Sequence, residues 1–421
     1  MKEKKKIVIV LSGVVNHRIL LKKLKERGYY TILVDYLDNP PAKSMADEHA
    51  QISTLDIEAI EELAIKRNAD LIINCCTDQV NVGIMKISEK LGLPHPYSYQ
   101  TALDIANKER MKQIMIENGV YTTPFCCITT QEEVENIPLK YPLYIKPADG
   151  YGSSGVTCVH NIEEAKRAVV KAINTGRNGK VIIEEEAKGF EHSVYCFPQD
   201  GKANILLIAR KYTDNDSEDK IVKSIATIAP VSLTETARQR IEEAAKRIVN
   251  AFNLDNTPMF MQIMVDGNNI NVIEFSARMA GGVSFRTIKL VTGFDLFDAT
   301  INSFLRIPNQ INSHKSEQLF SVSVAYSKPC IYGTMKGIEE LINSGILKEA
   351  WLPRLSGDII RNGSANSSRI AFLIHQGTSL DDILDKIQKT FDTIDILDTS
   401  GNPQLIKELH LTKELMQESE K

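Results

Sequence analysis

The chain has few cysteines, and their spacing does not match that of a zinc site. Its 421 residues include seven cysteines, an odd number, and none of them forms C-x-x-C or a cysteine–histidine set with zinc-finger spacing. Two pairs are adjacent in sequence, Cys75–Cys76 and Cys126–Cys127. Sparse cysteine of this kind indicates a reducing compartment rather than a disulfide scaffold. We therefore expect a cytoplasmic protein.

The chain also lacks a charge excess and a long apolar run. Fifty Lys+Arg against fifty-four Asp+Glu give a formal charge of −4, which argues against nucleic acid or an anionic membrane as a partner. No stretch approaches the ~18 apolar residues of a membrane span. Lys2–Lys6 followed by Ile7–Leu11 imitates a signal peptide, but the apolar run is short and lacks an A-x-A site. We interpret it as a buried first strand.

With 43% apolar and 25% charged residues, the composition is that of a globular chain, and its length predicts two to three domains. Residues 1–95 alternate strand and helix, which predicts a parallel α/β sheet. A breaker cluster at 92–96 then precedes a different pattern over 96–310, beginning with a helix at Lys108–Glu117. Residues 311–421 mix strands and helices, which predicts a small α+β domain.

Other candidate motifs in these segments are weak. The first turn, residues 12–16, lacks G-x-G-x-x-G, so Asp35 after the second strand is better interpreted as a turn residue than as a ribose ligand. The charged stretch 211–220 resembles an EF-hand loop but lacks the sixth-position glycine and the twelfth-position glutamate. We expect a solvated loop there, which folds over a substrate.

The clearest motif is a lysine followed by a glycine-rich loop. Residues 141–156 place Lys146 at the end of a strand, and beyond it lie three glycines and two serines: Gly150, Gly152, Ser153, Ser154 and Gly155. Glycines let backbone N–H groups approach an anion, and a lysine neutralises phosphate oxygens. The lysine precedes the glycines, so this is not a P-loop. Taken alone, the segment is also compatible with an ordinary hairpin turn.

Two further segments favour the phosphate interpretation. A buried-type strand ends in acids at 184–191, where a solvated charged turn is the alternative. A hairpin over 259–265 and 270–278 places Gln262, Glu274 and Ser276 on one face by the period-two rule. A carboxylate on an inward face needs a partner, and Mg²⁺ bridging phosphates would supply one.

Together these segments resemble the ATP-grasp superfamily over residues 1 to about 310, with four motifs in the family's order. The resemblance implies ATP held between two α+β subdomains, behind a Rossmann-like N-terminal domain. The E-x-x-A-R-x-x-G-G run from Glu274 to Gly282 is similar to that of L-amino-acid ligases, and carbamoyl-phosphate synthase large subunits are more distant relatives. The implied reaction joins a small-molecule carboxylate to an amine through an acyl phosphate, in a homodimer.

The resemblance also implies a role for each motif residue. Lys108, Lys146 and the loop from Gly150 to Gly155 would contact phosphates, and Arg278, with Lys146, would act on the transferred group. Glu184, Glu185 and Ala187 would meet the adenine, and Glu191 the ribose. Gln262, Glu274 and Ser276 would hold Mg²⁺, with Mn²⁺ as the alternative ion.

Two of these positions depart from the family. Gln262 stands where an acid is usual and Ser276 where asparagine is usual, so a second metal ion would be held more weakly. The alternative function is an ATP-binding sensor or scaffold that has lost catalysis.

Overall fold

The computed structural model describes residues 5–150, 155–214, 222–311, 316–362 and 364–418. The expected α/β and α+β architecture is confirmed. Among the residues described, no helix has the length and apolarity that a membrane crossing requires.

The N-terminal unit is a four-stranded parallel sheet with strand order β3-β2-β1-β4. Its first strand is the predicted apolar run, and Val8 to Leu11 are fully buried because helices cover both faces of such a sheet. Asp35 follows β2, and its carboxylate accepts the Gly13 N–H at 2.7 Å and the Leu37 N–H at 3.0 Å. The elements are β1 (Ile7–Leu11), α1 (His17–Glu26), β2 (Tyr30–Val34), β3 (Glu48–Ala50), α2 (Ile57–Arg67), β4 (Leu71–Ile73) and α3 (Asn81–Leu91).

A second, antiparallel sheet with order β5-β8-β6-β7 carries the lysine motif. The predicted helix at Lys108–Glu117 is confirmed, and Asn107 caps it by accepting the Arg110 N–H at 3.2 Å. The elements are α4 (Tyr99–Ala106), α5 (Lys108–Glu117), β5 (Phe125–Ile128), β6 (Leu143–Pro147), β7 (Thr157–Val159), α6 (Ile162–Thr175) and β8 (Val181–Glu185).

The largest sheet has eight strands in the order β13-β12-β9-β10-β11-β14-β18-β16. Gln262 pairs with Glu274 across β12 and β13, which puts both side chains on one face, as the period-two pattern predicted. The elements of its first part are β9 (Phe190–Cys196), β10 (Ile205–Asp214), β11 (Lys223–Ala229), α7 (Glu235–Ala251), β12 (Met259–Asp266), β13 (Asn269–Ser276), α8 (Ser284–Thr292) and α9 (Leu296–Phe304).

The prediction of a loop over residues 211–220 is wrong for its first four residues. Lys211 to Asp214 complete β10, which pairs with β11 on one side and β9 on the other, so the strand continues into the charged segment. Residues 215–220 lie outside the part of the chain that the structure describes.

The C-terminal part contributes three strands to the large sheet and forms a small sheet of order β17-β15-β19. Its elements are β14 (Leu319–Tyr326), β15 (Cys330–Lys336), α10 (Ile338–Asn343), β16 (Glu349–Trp351), β17 (Ile359–Ile360), α11 (Ala365–Ser368), β18 (Arg369–Gly377), α12 (Leu380–Thr393), β19 (Asp395–Asp398) and α13 (Lys413–Glu418). Because β11 pairs with β14, strands from both sides of residue 310 share one sheet. The two boundaries between the three predicted domains stay predictions.

The N-terminal unit is fixed against the segment that follows the β12–β13 hairpin. Lys23 on α1 forms ion pairs with Asp298 at 2.6 Å and Asp295 at 3.2 Å. The Asn16 side chain donates to the Gly282 carbonyl at 2.9 Å. These contacts bring the carboxyl ends of the parallel strands to the end of β13.

Candidate active site

A cleft forms where the N-terminal unit, α5 and the β12–β13 hairpin meet. Asp78 and Tyr97 line it from one side, Lys108 from α5, and Glu274 and Ser276 from the hairpin. The two hairpin residues and the lysine are predicted site residues. The structure therefore brings together residues that are more than 160 positions apart in the sequence.

Lys108 connects the glycine-rich loop to the hairpin. Its Nζ donates to the Gly150 carbonyl at 2.6 Å and lies 3.6 Å from a carboxylate oxygen of Glu274. Gly155 has φ +76°, and a Cβ there would come within 3.0 Å of the Pro147 ring, so glycine is required. Gly152, Ser153 and Ser154 lie outside the described residues, and their predicted contact with phosphate stays a prediction.

Lys146 belongs to a buried charge cluster that also contains Lys112, Glu184 and Thr123. Its Nζ lies 2.5 Å from one carboxylate oxygen of Glu184. The other oxygen is 3.3 Å from Lys112 and accepts the Thr123 hydroxyl at 3.0 Å. Lys112 also donates to the Thr122 and Thr123 hydroxyls, at 2.8 and 3.1 Å. One carboxylate therefore balances two ammonium groups, which leaves this cluster with a net positive charge.

Burial and mutual attraction act in opposite directions on these groups. Burial alone would raise the pKa of the Glu184 carboxyl, but Lys146 and Lys112 more than offset this, so the pKa is lowered. Burial lowers the pKa of Lys112 to about 8, and the attraction of Glu184 only partly opposes it. Glu184 is thus ionised at neutral pH and holds Lys146 at the end of β6.

We expect Lys112→Met to destabilise the protein. The substitution removes the buried donor of the Thr122 and Thr123 hydroxyls and one of the two cations that face Glu184, a loss of about 1–3 kcal/mol. Lys166→Met is the matched control, because that lysine lies on the surface of α6 in an exposed pair with Glu135, and it should change little. Thermal unfolding measures both, and equal midpoints for the two variants would contradict the structural role of Lys112.

Lys112 should also make the stability of the folded protein depend on pH. Its pKa is about 8 in the folded protein and 10.5 when unperturbed, so between these values the unfolded chain holds a proton that the folded protein has released. The contribution of Lys112 to stability therefore rises with pH across this window. The stability difference between wild type and Lys112→Met should widen over the same range.

The hairpin residues offer oxygen ligands of the kind that Mg²⁺ prefers. Glu274 supplies a half-exposed carboxylate, Gln262 an amide opposite it, and Ser276 a hydroxyl two residues further along β13. The Gln262 amide donates to Glu191 at 2.9 Å, which leaves its oxygen as the candidate ligand. This set fits Mg²⁺ that is also bound by phosphates, with one protein carboxylate rather than two.

The residues expected around adenine and ribose lie at the end of β8, in the β8–β9 connection and at the start of β9. Glu191 accepts two hydrogen bonds from Lys211, at 2.9 and 3.1 Å. The backbone N–H of Glu185 donates to the Pro124 carbonyl at 3.0 Å, and Ala187 is half-buried just beyond. The Glu184 carboxylate faces the two lysines, so its predicted contact with adenine stays a prediction.

Arg278 follows β13 and forms a two-pronged ion pair with Asp78. Its Nε donates to one carboxylate oxygen at 2.6 Å, a second N–H donates to the other oxygen, and Nη1 donates to the Met279 carbonyl at 2.6 Å. Burial would lower the pKa of the guanidinium, but the Asp78 carboxylate reverses this and raises it. Arg278 is therefore a fixed cation beside the cleft.

Sequence reasoning missed Asp78, Lys112 and Lys211. Asp78 follows the carboxyl end of β4, the edge at which parallel sheets bind ligands, and this was a usable signal. Lys112 lies four residues after Lys108 and therefore on the same helical face. No sequence pattern indicated a role for Lys211, because only strand pairing brings it to its partner Glu191.

Comparison with known proteins gives a family match for the part of the chain that supplies one wall of the cleft. Residues 139–286 match the family model of the ATP-grasp domain. The chain is 25% identical to an L-arginine-specific L-amino acid ligase from Bacillus subtilis, over 70% of this chain and 73% of that protein. It is 22% identical to the N-terminal section of the carbamoyl phosphate synthase large chain from Methanopyrus kandleri, covering 56% of this chain. It spans 43% of that relative's length.

Solved structures share the fold over nearly the whole chain. An L-amino acid ligase from Bacillus licheniformis superposes with a TM-score of 0.78 at 18% identity, covering 94% of this chain and all of that one. The biotin carboxylase domain dimer of a Hydrogenobacter thermophilus 2-oxoglutarate carboxylase, in complex with MgADP, gives 0.73 at 17% identity over 99% and 98%. The predicted resemblance to the ATP-grasp superfamily and to L-amino-acid ligases is confirmed.

Proposed function

We propose that the protein is an ATP- and Mg²⁺-dependent ligase that joins a carboxylate to an amine and releases ADP and phosphate. Its substrates are amino acids or similar small metabolites. The observation that carries the proposal is the cleft that Lys108 and Glu274 line together, with Arg278 held beside it by Asp78. Glu274 and Arg278 belong to the segment that matches the ATP-grasp domain. The relatives named as amino acid ligases support the substrate class.

The chain's residues would act mainly by positioning and by neutralising charge. Lys108 and Lys146 would bind phosphate oxygens of ATP, and the glycine-rich loop from Gly150 to Gly155 would cover them. A substrate carboxylate oxygen attacks the γ-phosphorus and ADP leaves, which gives an acyl phosphate. An amine then attacks the acyl carbon and phosphate leaves. Arg278 would hold the phosphoryl oxygens as charge develops on them.

Glu274, Gln262 and Ser276 are the residues that would hold Mg²⁺. When bound, the ion would neutralise charge on the phosphates and orient them. Glu191, fixed by Lys211 and Gln262, would accept hydrogen bonds from the ribose hydroxyls. A homodimer is part of the proposal, and the dimeric state of a structure with this fold supports it.

The proposal is tested by measuring phosphate release from ATP in the presence of Mg²⁺ and a panel of amino acids, added singly and in pairs. Mass spectrometry identifies the products. We expect release that requires added amino acids and a product with the mass of a new amide. Release that is independent of any carboxylate, or no release while ATP still binds, would contradict the ligase.

The second candidate is an ATP-binding protein without ligase activity. The observation that favours it is the position of Gln262, whose amide is hydrogen bonded to Glu191 where a second metal-binding acid is usual. Under this alternative ATP binds, but no substrate in a panel widened to dicarboxylates stimulates phosphate release. The two candidates therefore differ in one assay.

A further inference from the structure

Two cysteines and a histidine lie together beside Arg278, outside the residues used above. Cys75 and Cys76 follow the carboxyl end of β4, and one side-chain atom of each, with one of His17, lie within 4.8 Å of one another. The Cys75 thiol donates to the Cys76 sulfur at 3.6 Å. The two sulfur atoms are therefore already in contact.

The second adjacent pair in the chain lacks this geometry and serves as an internal comparison. Cys126 and Cys127 are consecutive residues of β5, so their side chains project to opposite faces of the sheet. Cys126 packs on the apolar cluster of that sheet, and Cys127 lies near Glu109. Burial raises the pKa of both thiols to about 11.

The environment of Cys76 favours its thiolate. The hydrogen bond from Cys75 and the charge of Arg278 lower the pKa of the Cys76 thiol, although burial opposes this. Burial instead raises the pKa of Cys75, which is fully enclosed, whereas Cys76 is half-buried. Burial also lowers the pKa of His17 to about 4, so the imidazole is neutral and Arg278 is the cation that acts on Cys76.

We propose that Cys75 and Cys76 form a reversible thiol switch that responds to peroxide beside the active-site arginine. The Cys76 thiolate attacks hydrogen peroxide, which gives a sulfenic acid and hydroxide. The Cys75 thiol then displaces the sulfenic hydroxyl, which leaves as water, and a disulfide forms between neighbouring residues. Each sulfur loses one electron, and the peroxide takes up both.

A disulfide between consecutive residues is easily reduced, which makes the switch reversible. Consecutive Cα atoms lie about 3.8 Å apart, whereas the Cα atoms of ordinary disulfides lie about 4.4–6.8 Å apart. Closing the ring therefore strains the backbone, and strained disulfides are the labile ones. A dithiol should reopen it.

The local backbone connects this pair to the cleft. The Asn74 side chain accepts the N–H groups of Cys76 and Thr77, at 3.2 and 3.1 Å. Asp78, the partner of Arg278, follows directly. Because ring closure changes the backbone at 75–76, it should displace Asp78 and with it the guanidinium.

The test is to treat the full chain with hydrogen peroxide, block remaining thiols with an alkylating reagent and analyse the peptides by mass spectrometry. We expect the loss of two hydrogen atoms on the peptide carrying Cys75 and Cys76, restored by dithiothreitol. Cys75→Ser should instead leave a sulfenic acid on Cys76 that dimedone labels. The double variant Cys126→Ser, Cys127→Ser is the control and should respond like wild type.

Free thiols at 75 and 76 under conditions that oxidise Cys126 or Cys127 would overturn the proposal. An unaltered loss of two hydrogen atoms in Cys75→Ser would overturn it equally. ATP-dependent phosphate release should fall at least about tenfold on oxidation and recover with dithiothreitol. This last readout rests on the proposed function, whereas the peptide masses do not, so a failure of one is distinguishable from a failure of the other.

Discussion

Replacing Glu274 by glutamine is expected to lower ATP turnover by about 100-fold or more. Glu274 is the one carboxylate among the three predicted metal ligands, and its oxygen lies 3.6 Å from the Lys108 ammonium. Glutamine keeps the size and an oxygen but removes the charge that holds the metal ion and orients the lysine. Phosphate release in the presence of the identified substrates measures the effect.

A matched variant separates this effect from damage to the hairpin. Asp266→Asn makes the same chemical change at the exposed, opposite end of β12 and should leave turnover unchanged. Glu274→Gln should retain ATP binding in calorimetry, because Lys108 and Lys146 remain. Turnover of Glu274→Gln close to wild type would show that Glu274 does not hold the metal.

Local patterns in the sequence predicted the elements that position the site. The period-two alternation over β12 and β13 predicted Gln262 and Glu274 on one face of the hairpin, and the structure confirms this by pairing the two residues directly. The apolar run at Ile7–Leu11 predicted a strand buried on both faces, which is also confirmed. Such patterns succeed because each reflects the burial of one strand or helix face.

The residues that the sequence did not predict depend on contacts between distant segments. Asp78 is 200 positions from Arg278, and their ion pair exists because α1 packs against α9 and so brings the end of β4 to the end of β13. Lys112 falls on the apolar face of α5, where periodicity predicts a core position. Its partners, the Thr122 and Thr123 hydroxyls, come from the segment after the helix.

The charged segment at 211–220 is a case in which local composition predicted the wrong structure. Its composition is typical of a solvated loop, yet Lys211 to Asp214 lie in a strand and pair with β11. Tertiary pairing therefore overrode the local preference. The consequence for the site is direct, since this strand brings Lys211 to Glu191.

Arg278→Ala should reduce the rate of turnover by about 100- to 1,000-fold while ATP binding changes little. The guanidinium is fixed by Asp78 and by the Met279 carbonyl, so it meets developing negative charge without reorganising. A group that acts on the transferred phosphoryl contributes to the rate more than to ground-state binding. Steady-state kinetics with separate ATP titrations distinguishes the two.

The loss of Arg278 also leaves Asp78 without its partner, and a second variant removes this complication. Asp78→Asn combined with Arg278→Ala eliminates the uncompensated carboxylate, so thermal stability should recover while turnover does not. Arg240→Ala is the surface control, because Arg240 donates to Asn268 and Asn269 at the turn end of the same hairpin and stacks over Tyr121, away from the cleft. If the double variant regained turnover, the defect of Arg278→Ala would come from the unpaired Asp78 carboxylate, and Arg278 would not be the cation that acts on the transferred phosphoryl.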